Sequence, residues 1–316
     1  MVSTEKISSF PYPFVENNVY RYSNNAIPLN PPIAIEVTES YIEEMDLKRE
    51  LLKKHPERCY HSESHTMGAQ WEALDLILHD LAAYYPETFK LVTNENHWKF
   101  TNHHTGEKHS FTFGDSTTLD QEPLDFVGMN VQEDLILMMQ RDGDLFLDAG
   151  QLCFPANWSL YFDAGMSFRE IHAPIPGFKS DSLDERILQF LMRIEAGSPW
   201  WRKNWSLMAG NRLDTSLETF AEWGQARKKV TKENAGEIVH FRVEVQKLFR
   251  LPKSNGILFT IHTHMLPLGE FIQHRPWLEQ FSAILKELPE FIADYKGISL
   301  YREVVLEYLE GELKKR

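Results

Sequence analysis

One stretch of alternating residues constrains this chain more than any other feature. From Ile238 to Leu248, Val239, Phe241, Val243 and Val245 alternate with His240, Arg242, Glu244 and Gln246. A period of two puts the apolar set on one side of a strand and the polar set on the other. A second, more apolar run spans Ile257 to His264, and only Pro252 to Gly256 lies between the two. A connection that short joins neighbours in an antiparallel pair. The chain is therefore expected to be built around an antiparallel sheet.

Other segments fit that frame. Lys90 to Val92, His97 to Thr101 and Lys108 to Phe113 are short, aromatic and β-branched, with a turn at Thr105-Gly106. Val131 to Met139 and Asp144 to Phe154 read as strands around the Asp142-Gly143 turn. A helix is expected from about Thr38, with Ser40 and Glu43 at capping-box spacing. Further helices are expected over Gly68 to Tyr84, Ser182 to Ala196, Trp277 to Leu288 and Leu300 to Lys314. The first thirty residues, rich in Pro, Asn and aromatics, read as an extended arm over the body. Strands and helices mix without βαβ alternation, which points to an α+β fold in one domain over residues 1–316.

Charge and cysteine content narrow the function. A net charge of -13 opposes binding to nucleic-acid phosphates. Two cysteines, Cys59 and Cys153, are too few for a disulfide framework or a four-thiolate iron–sulfur cluster. No secretory leader and no membrane span is evident, so a cytoplasmic location is expected. Gly-x-Gly-x-x-Gly, P-loop, His-Glu-x-x-His and Gly-x-Ser-x-Gly motifs are all missing.

Several polar groups could carry chemistry. His172 stands before Pro174, Pro176 and Gly177. Prolines fix φ, so the ring is expected on a stiff, non-helical segment, where neutral imidazole suits haem iron. A histidine simply hydrogen-bonded in a loop is the plainer reading. His262 and His264 share a strand face and could bind a metal with a carboxylate from elsewhere, or mark a polar strand end. Arg242, Glu244 and Gln246 line one face that could clamp an anion, or face solvent. Gln132, Glu133 and Asp134 interrupt an apolar run, where burial demands partners. Cys153 reads as a small buried hydrophobe. His61 and His65 read as a solvated loop, with His103, His104 and His109 in an exposed hairpin.

Read together, several motifs resemble one family. They are Val131-Gln132-Glu133-Asp134-Leu135, Leu152-Cys153-Phe154-Pro155-Ala156-Asn157-Trp158, Ile171-His172-Ala173-Pro174-Ile175-Pro176-Gly177, Asn204-Trp205, the run from Arg242 to Ser254, and Leu258-Phe259-Thr260-Ile261. Upstream, Ile27-Pro28-Leu29, Tyr41 to Met45 and Lys48 to Leu52 fit as well. Over roughly residues 25–270 the chain resembles the haem-dependent oxidative N-demethylase alpha subunit. The resemblance implies a PAS-like antiparallel core, a b-type haem, and O2-dependent demethylation of a small secondary amine such as dimethylamine. It also implies a separate flavin and iron–sulfur reductase. On it, His172 is expected as axial ligand and Arg242 as a propionate or distal group. Gln132, Glu133 and Glu244 would serve the distal side, with Trp158 and Trp205 walling the pocket. The chain departs from the family pattern at Val245, where Arg is expected, and at His262-Thr263-His264, where a basic residue and Thr-Tyr are expected. Two other readings are a haem sensor or carrier of the same fold and a non-haem metal enzyme using His262 and His264.

Overall fold

The computed structural model describes residues 9–15, 25–177 and 182–315. Its strands, in chain order, are β1 (Ile27–Pro28), β2 (Tyr60–Ser62), β3 (Phe89–Asn94), β4 (His97–Asn102), β5 (Glu107–Thr112), β6 (Asp134–Arg141), β7 (Asp144–Gln151), β8 (Trp200–Ala209), β9 (Val239–Arg250) and β10 (Ile257–Pro267). The large sheet runs β1-β8-β9-β10-β6-β7-β2, and β3-β4-β5 form a small one. Every pairing is antiparallel.

The expected central pair is β9 and β10, in continuous register from Arg250↔Ile257 to His240↔Pro267. Asp142 and Gly143 take φ of 50° and 74°, the left-handed geometry of a tight two-residue turn, and bring Arg141 opposite Asp144. β8 was not expected from sequence. Its register with β9, Trp200↔Leu248 to Ala209↔Val239, makes β9 a strand covered on both edges.

Alternation on these strands creates two unlike sheet faces. Leu258 and Phe249, with Leu137 and Ala149, pack under the helices Tyr41–Lys54 and Met67–Tyr84 and the small sheet. Further along the same face, Phe241, Val243, Trp205 and Leu266 pack under the C-terminal helices Arg275–Glu287 and Arg302–Lys314. Ile136, Ile261 and Leu248 point the other way, toward the helices Phe168–His172 and Leu183–Met192. Residues 9–15 form the described part of the expected arm. Tyr12 stacks on Trp277 at 4.6 Å and Phe14 meets Trp205 edge-on at 5.5 Å. Each such pair adds about 0.5–1.5 kcal/mol beyond its buried area. The rest of the first thirty residues, apart from 25–30, lies outside the described residues. No helix among the described residues is long and apolar enough to cross a membrane.

Candidate functional site

Polar residues occupy the gap between the two apolar clusters on the first face. On β10, Thr260, His262 and His264 lie between Leu258 and Leu266. On β9, Lys247 and Val245 sit opposite Thr260 and His262. Both Thr260 and His262 are fully buried. The imidazoles of His262 and His264 stack with centroids 4.4 Å apart.

A short segment before the first helix closes over this gap, and side chains hold its backbone. Asp80 accepts the N–H groups of Ala34 and Ile35, both at 3.0 Å. Glu133 accepts Glu36 N–H at 2.8 Å, the Tyr85 hydroxyl accepts Val37 N–H at 3.1 Å, and Gln132 accepts Thr38 N–H at 2.9 Å. Lys247 Nζ donates to the Ala34 carbonyl at 3.1 Å. A segment with no strand partner thus has its amides satisfied, as burial requires. The result is a fixed backbone position for Glu36.

Glu36 Oε2 lies 3.4 Å from His264 Nε2 and 3.8 Å from His262 Nδ1. Glu133 Oε1 lies 3.3 Å from the same Nδ1, and Glu44 Oε2 is 4.0 Å from His262 Nε2. Glu44 is itself fixed by Gln132 Nε2 at 2.7 Å and Ser40 Oγ at 2.6 Å. That contact replaces the expected capping box, since Ser40 bonds Glu44 rather than the helix backbone. Burial alone would raise the Glu36 carboxyl, but His264, then His262 and Lys247, carry it down to about 2. Burial likewise opposes ionisation of Glu133, and the charges of His262 and Lys247 outweigh it and lower its pKa. For His262, burial lowers the pKa and the charges of Glu133, Glu36 and Glu44 more than reverse it. Burial dominates at His264, whose pKa falls.

The loop carrying Gln132 and Glu133 is held from below. Lys48, fully buried in the helix Tyr41–Lys54, donates to the carbonyls of Gly128, Val131 and Glu133 at 3.0, 2.9 and 2.6 Å.

The opposite face carries the second polar group. Glu244 Oε2 accepts from Gln246 Nε2 at 3.0 Å and Asn204 Nδ2 at 3.3 Å, and Arg202 donates to Gln246 Oε1 at 3.1 Å. The alternative of a solvated outer face fails here, because Arg242, Glu244 and Gln246 are all buried. Arg242 donates to the carbonyls of Leu213 (2.9 Å) and Phe154 (2.6 Å) and to Thr263 Oγ1 at 3.2 Å, and approaches Glu244 Oε1 at 3.5 Å. Asp134 accepts the amides of Cys153 and Phe154, so the segment around Cys153 is pinned from both sides. Cys153 and Cys59 are both buried and unbridged.

His172 belongs to this second face. It is not on a non-helical segment as expected, but ends the short helix Phe168–His172. The helix starts at a true capping box of Ser167 and Glu170, a spacing the sequence reading passed over. The Pro174 and Pro176 that stiffen the segment follow two and four residues later, where they keep the helix from continuing. His172 Nδ1 donates to the Phe168 carbonyl at 2.8 Å. That bond assigns the lone pair to Nε2. The residue is half-buried. That burial, together with nearby Arg202, lowers its pKa to about 4 and keeps it neutral.

The structure therefore divides the residues expected in one pocket. His172, Arg242, Glu244 and Trp158 lie on one side of the sheet, Trp158 against Ile136, Leu160 and Ile261. Gln132, Glu133, His262 and His264 lie on the other. Trp205 stacks on Phe241 at 6.0 Å beneath the C-terminal helices, so it shares no wall with Trp158. Glu36 was missed, although it interrupts the apolar run Ile33-Ala34-Ile35 just as Gln132 and Glu133 interrupt theirs. His61 lies on β2 and His65 bonds Asp148 at 2.8 Å, so neither sits in a merely solvated loop.

A sequence model of the family described as "haem-dependent oxidative N-demethylase, alpha subunit-like" matches residues 27–306. The chain belongs to that family.

Proposed function

We propose, from that membership, that the chain is the haem-binding subunit of an oxidative N-demethylase acting on a small secondary amine such as dimethylamine. The observation that carries the reading is the seat of His172: a neutral imidazole, its Nδ1 anchored to Phe168 O, with the lone pair on Nε2. These are the features of an axial nitrogen ligand, so the residues present fit a b-type haem. When bound, haem would supply O2 activation and oxidation of an N-methyl carbon.

The chain's own residues would bind and orient the substrate. Glu244 is the buried carboxylate for the amine's N–H groups, and Gln246, Asn204 and Arg242 fix its rotamer. Trp158 offers an aromatic face to a cationic amine. Arg242 is already occupied by two backbone carbonyls, which favours a positioning role over a propionate clamp. Electrons would come from a separate flavin and iron–sulfur reductase. We read the strands β6 to β10 as a PAS-like core. In space they run third, fourth, fifth, first, second, which sets the first and last strands side by side. A cysteine count of two, too few for a disulfide framework, fits a reducing compartment such as the cytoplasm.

The test is an absorption spectrum of protein made with ample iron and haem precursor, before and after dithionite, followed by amine-dependent O2 uptake with an electron donor. A stoichiometric Soret band lost in His172→Ala supports the assignment. Glu244→Gln should keep the band and lose amine-dependent uptake. A protein that takes up no haemin would refute the reading, and haem binding without amine oxidation would leave a sensor or carrier.

A further inference from the structure

We propose that Glu36, His262 and His264 form a binding site for one divalent transition-metal ion, on the face of the sheet opposite His172. One ligand atom from each residue lies within 4.8 Å of the others. Two histidines and one carboxylate are a donor set that suits iron(II) or zinc. Metal–ligand bonds of about 2.0–2.1 Å place neighbouring ligand atoms about 3.0–3.5 Å apart. The Glu36–His264 separation of 3.4 Å already meets that spacing, and the Glu36–His262 separation of 3.8 Å needs a few tenths of an ångström.

A second, independent observation points to a ligand. His262 is 1% exposed, yet its Nδ1 makes no well-directed hydrogen bond among the described residues. Glu133 is fully buried, and its Oε2 is likewise without a partner there. His264 Nε2 is in the same state. Buried polar atoms are normally satisfied, and two of them, His262 Nδ1 and His264 Nε2, belong to one cluster with the Glu36 carboxylate, which asks for something between them. Glu133 Oε1 at 3.3 Å from Nδ1 is close enough to attract charge, but its direction is wrong for a hydrogen bond. A cation among Glu36, His262 and His264 would satisfy both ring nitrogens.

The surroundings favour a metal. Three carboxylates, Glu36, Glu44 and Glu133, face the two imidazoles. Lys247, a neighbouring cation on the same face, is held to the Ala34 carbonyl. The backbone bonds on residues 34 to 38 fix Glu36 before any ion arrives. The Glu36 side chain is 41% exposed, so the site has an entry path and an open side, while His262 closes its floor. The site does not depend on the haem reading, because the two lie on opposite faces of β10.

The probe is zinc alone. The full-length chain is stripped with chelator, its haem content is fixed across samples, and Zn2+ is titrated calorimetrically, with bound metal counted after dialysis. Total iron measured against haem iron reports any second iron in protein as purified. We expect one Zn2+ per chain, weakened at least ~100-fold in Glu36→Gln and in His264→Ala and unchanged in His172→Ala. Glu36→Gln keeps the backbone bonds and serves if His264→Ala fails to fold. Absence of a stoichiometric site, or one that both variants leave intact, would overturn the proposal and leave only an ion-pair network.

Discussion

Replacing Lys48 by Met should cost about 3 kcal/mol, and the structure says where the loss comes from. Among the described residues, Lys48 is a cation with no carboxylate in salt-bridge contact. Its Nζ instead collects three backbone carbonyls from the loop that leads into β6. Met matches its length and helix propensity, so the helix Tyr41–Lys54 itself is unaffected. Three buried carbonyls lose their donor, each at about 1–3 kcal/mol, while release of a desolvated ammonium returns several kcal/mol. A net loss near 3 kcal/mol is a large share of the about 5–15 kcal/mol that keeps a domain folded.

A second consequence gives this prediction a signature. Burial pushes the Asp134 carboxyl up to about 6, and Lys48 is the first group opposing that rise. An acid whose folded pKa exceeds its unfolded value of about 3.9 contributes stability below pH 4 that is lost as pH rises through 6. Without Lys48 the folded pKa climbs further, so the penalty of Lys48→Met grows between pH 4 and neutrality. Urea unfolding at pH 4, 5.5 and 7 reads it, with Lys54→Met as control. Lys54 pairs with Glu50 on the exposed side of the same helix and should matter by less than about 0.5 kcal/mol. A loss for Lys48→Met under about 1 kcal/mol at every pH, or equal to the control, would refute the reasoning.

Three other perturbations have distinct outcomes. Burial, aided by Glu218, raises Asp163 to about 6, so Asp163→Asn should be more stable than the parent by about 1 kcal/mol at pH 7 and no different below pH 4, by urea midpoint. Gly269→Ala would set a Cβ 2.9 Å from the Gly236 carbonyl oxygen, a backbone atom that cannot swing aside, and should lower stability by about 1–3 kcal/mol in thermal unfolding. Arg242→Met should cost about 3 kcal/mol and expose the chain around residues 154 and 213 to faster amide exchange, because both carbonyls lose their donor.

Much of the scaffold was legible from local pattern. Alternation over Val239 to Gln246 and the turn residues Asp142 and Gly143 are local signals, and the strands they predict are present. β8 escaped because Trp201, Arg202, Lys203 and Asn204 do not alternate in hydropathy. Arg202 and Asn204 lie opposite Gln246 and Glu244, and Lys203 lies opposite Val245, so polar residues fall on both faces of β8 here and the usual period-two signal is missing. The capping box was expected at the wrong helix. Ser40 has the spacing, but Glu44 draws its hydroxyl away, whereas Ser167 and Glu170 have no such competitor among the described residues. The site was legible only in its residue types. Gln132, Glu133, Glu244 and His262 were singled out, yet nothing local says on which side of the sheet Gln132 and Glu133 fall, since they precede β6 and turn with the loop.

The two polar groups follow from one property of β10. On a strand, successive side chains point to opposite faces, so His262 and His264 must face away from Thr263. Thr263 meets Arg242 and Glu244, while His262 meets Glu133 and Glu36. A shift of one residue in the β9–β10 register would exchange every one of these contacts. It would place imidazoles beside Arg242 and a threonine among three carboxylates, leaving buried charge uncompensated on both faces. Apolar clusters at both ends of the strand pair forbid that shift, because Leu258 with Phe249 and Leu266 with Phe241 would have to leave their cores together. The register that buries the leucines is therefore the same one that assembles both sites. It follows that a change at His172 and a change at His264 should act independently on ligand binding, despite the single strand that separates the two faces.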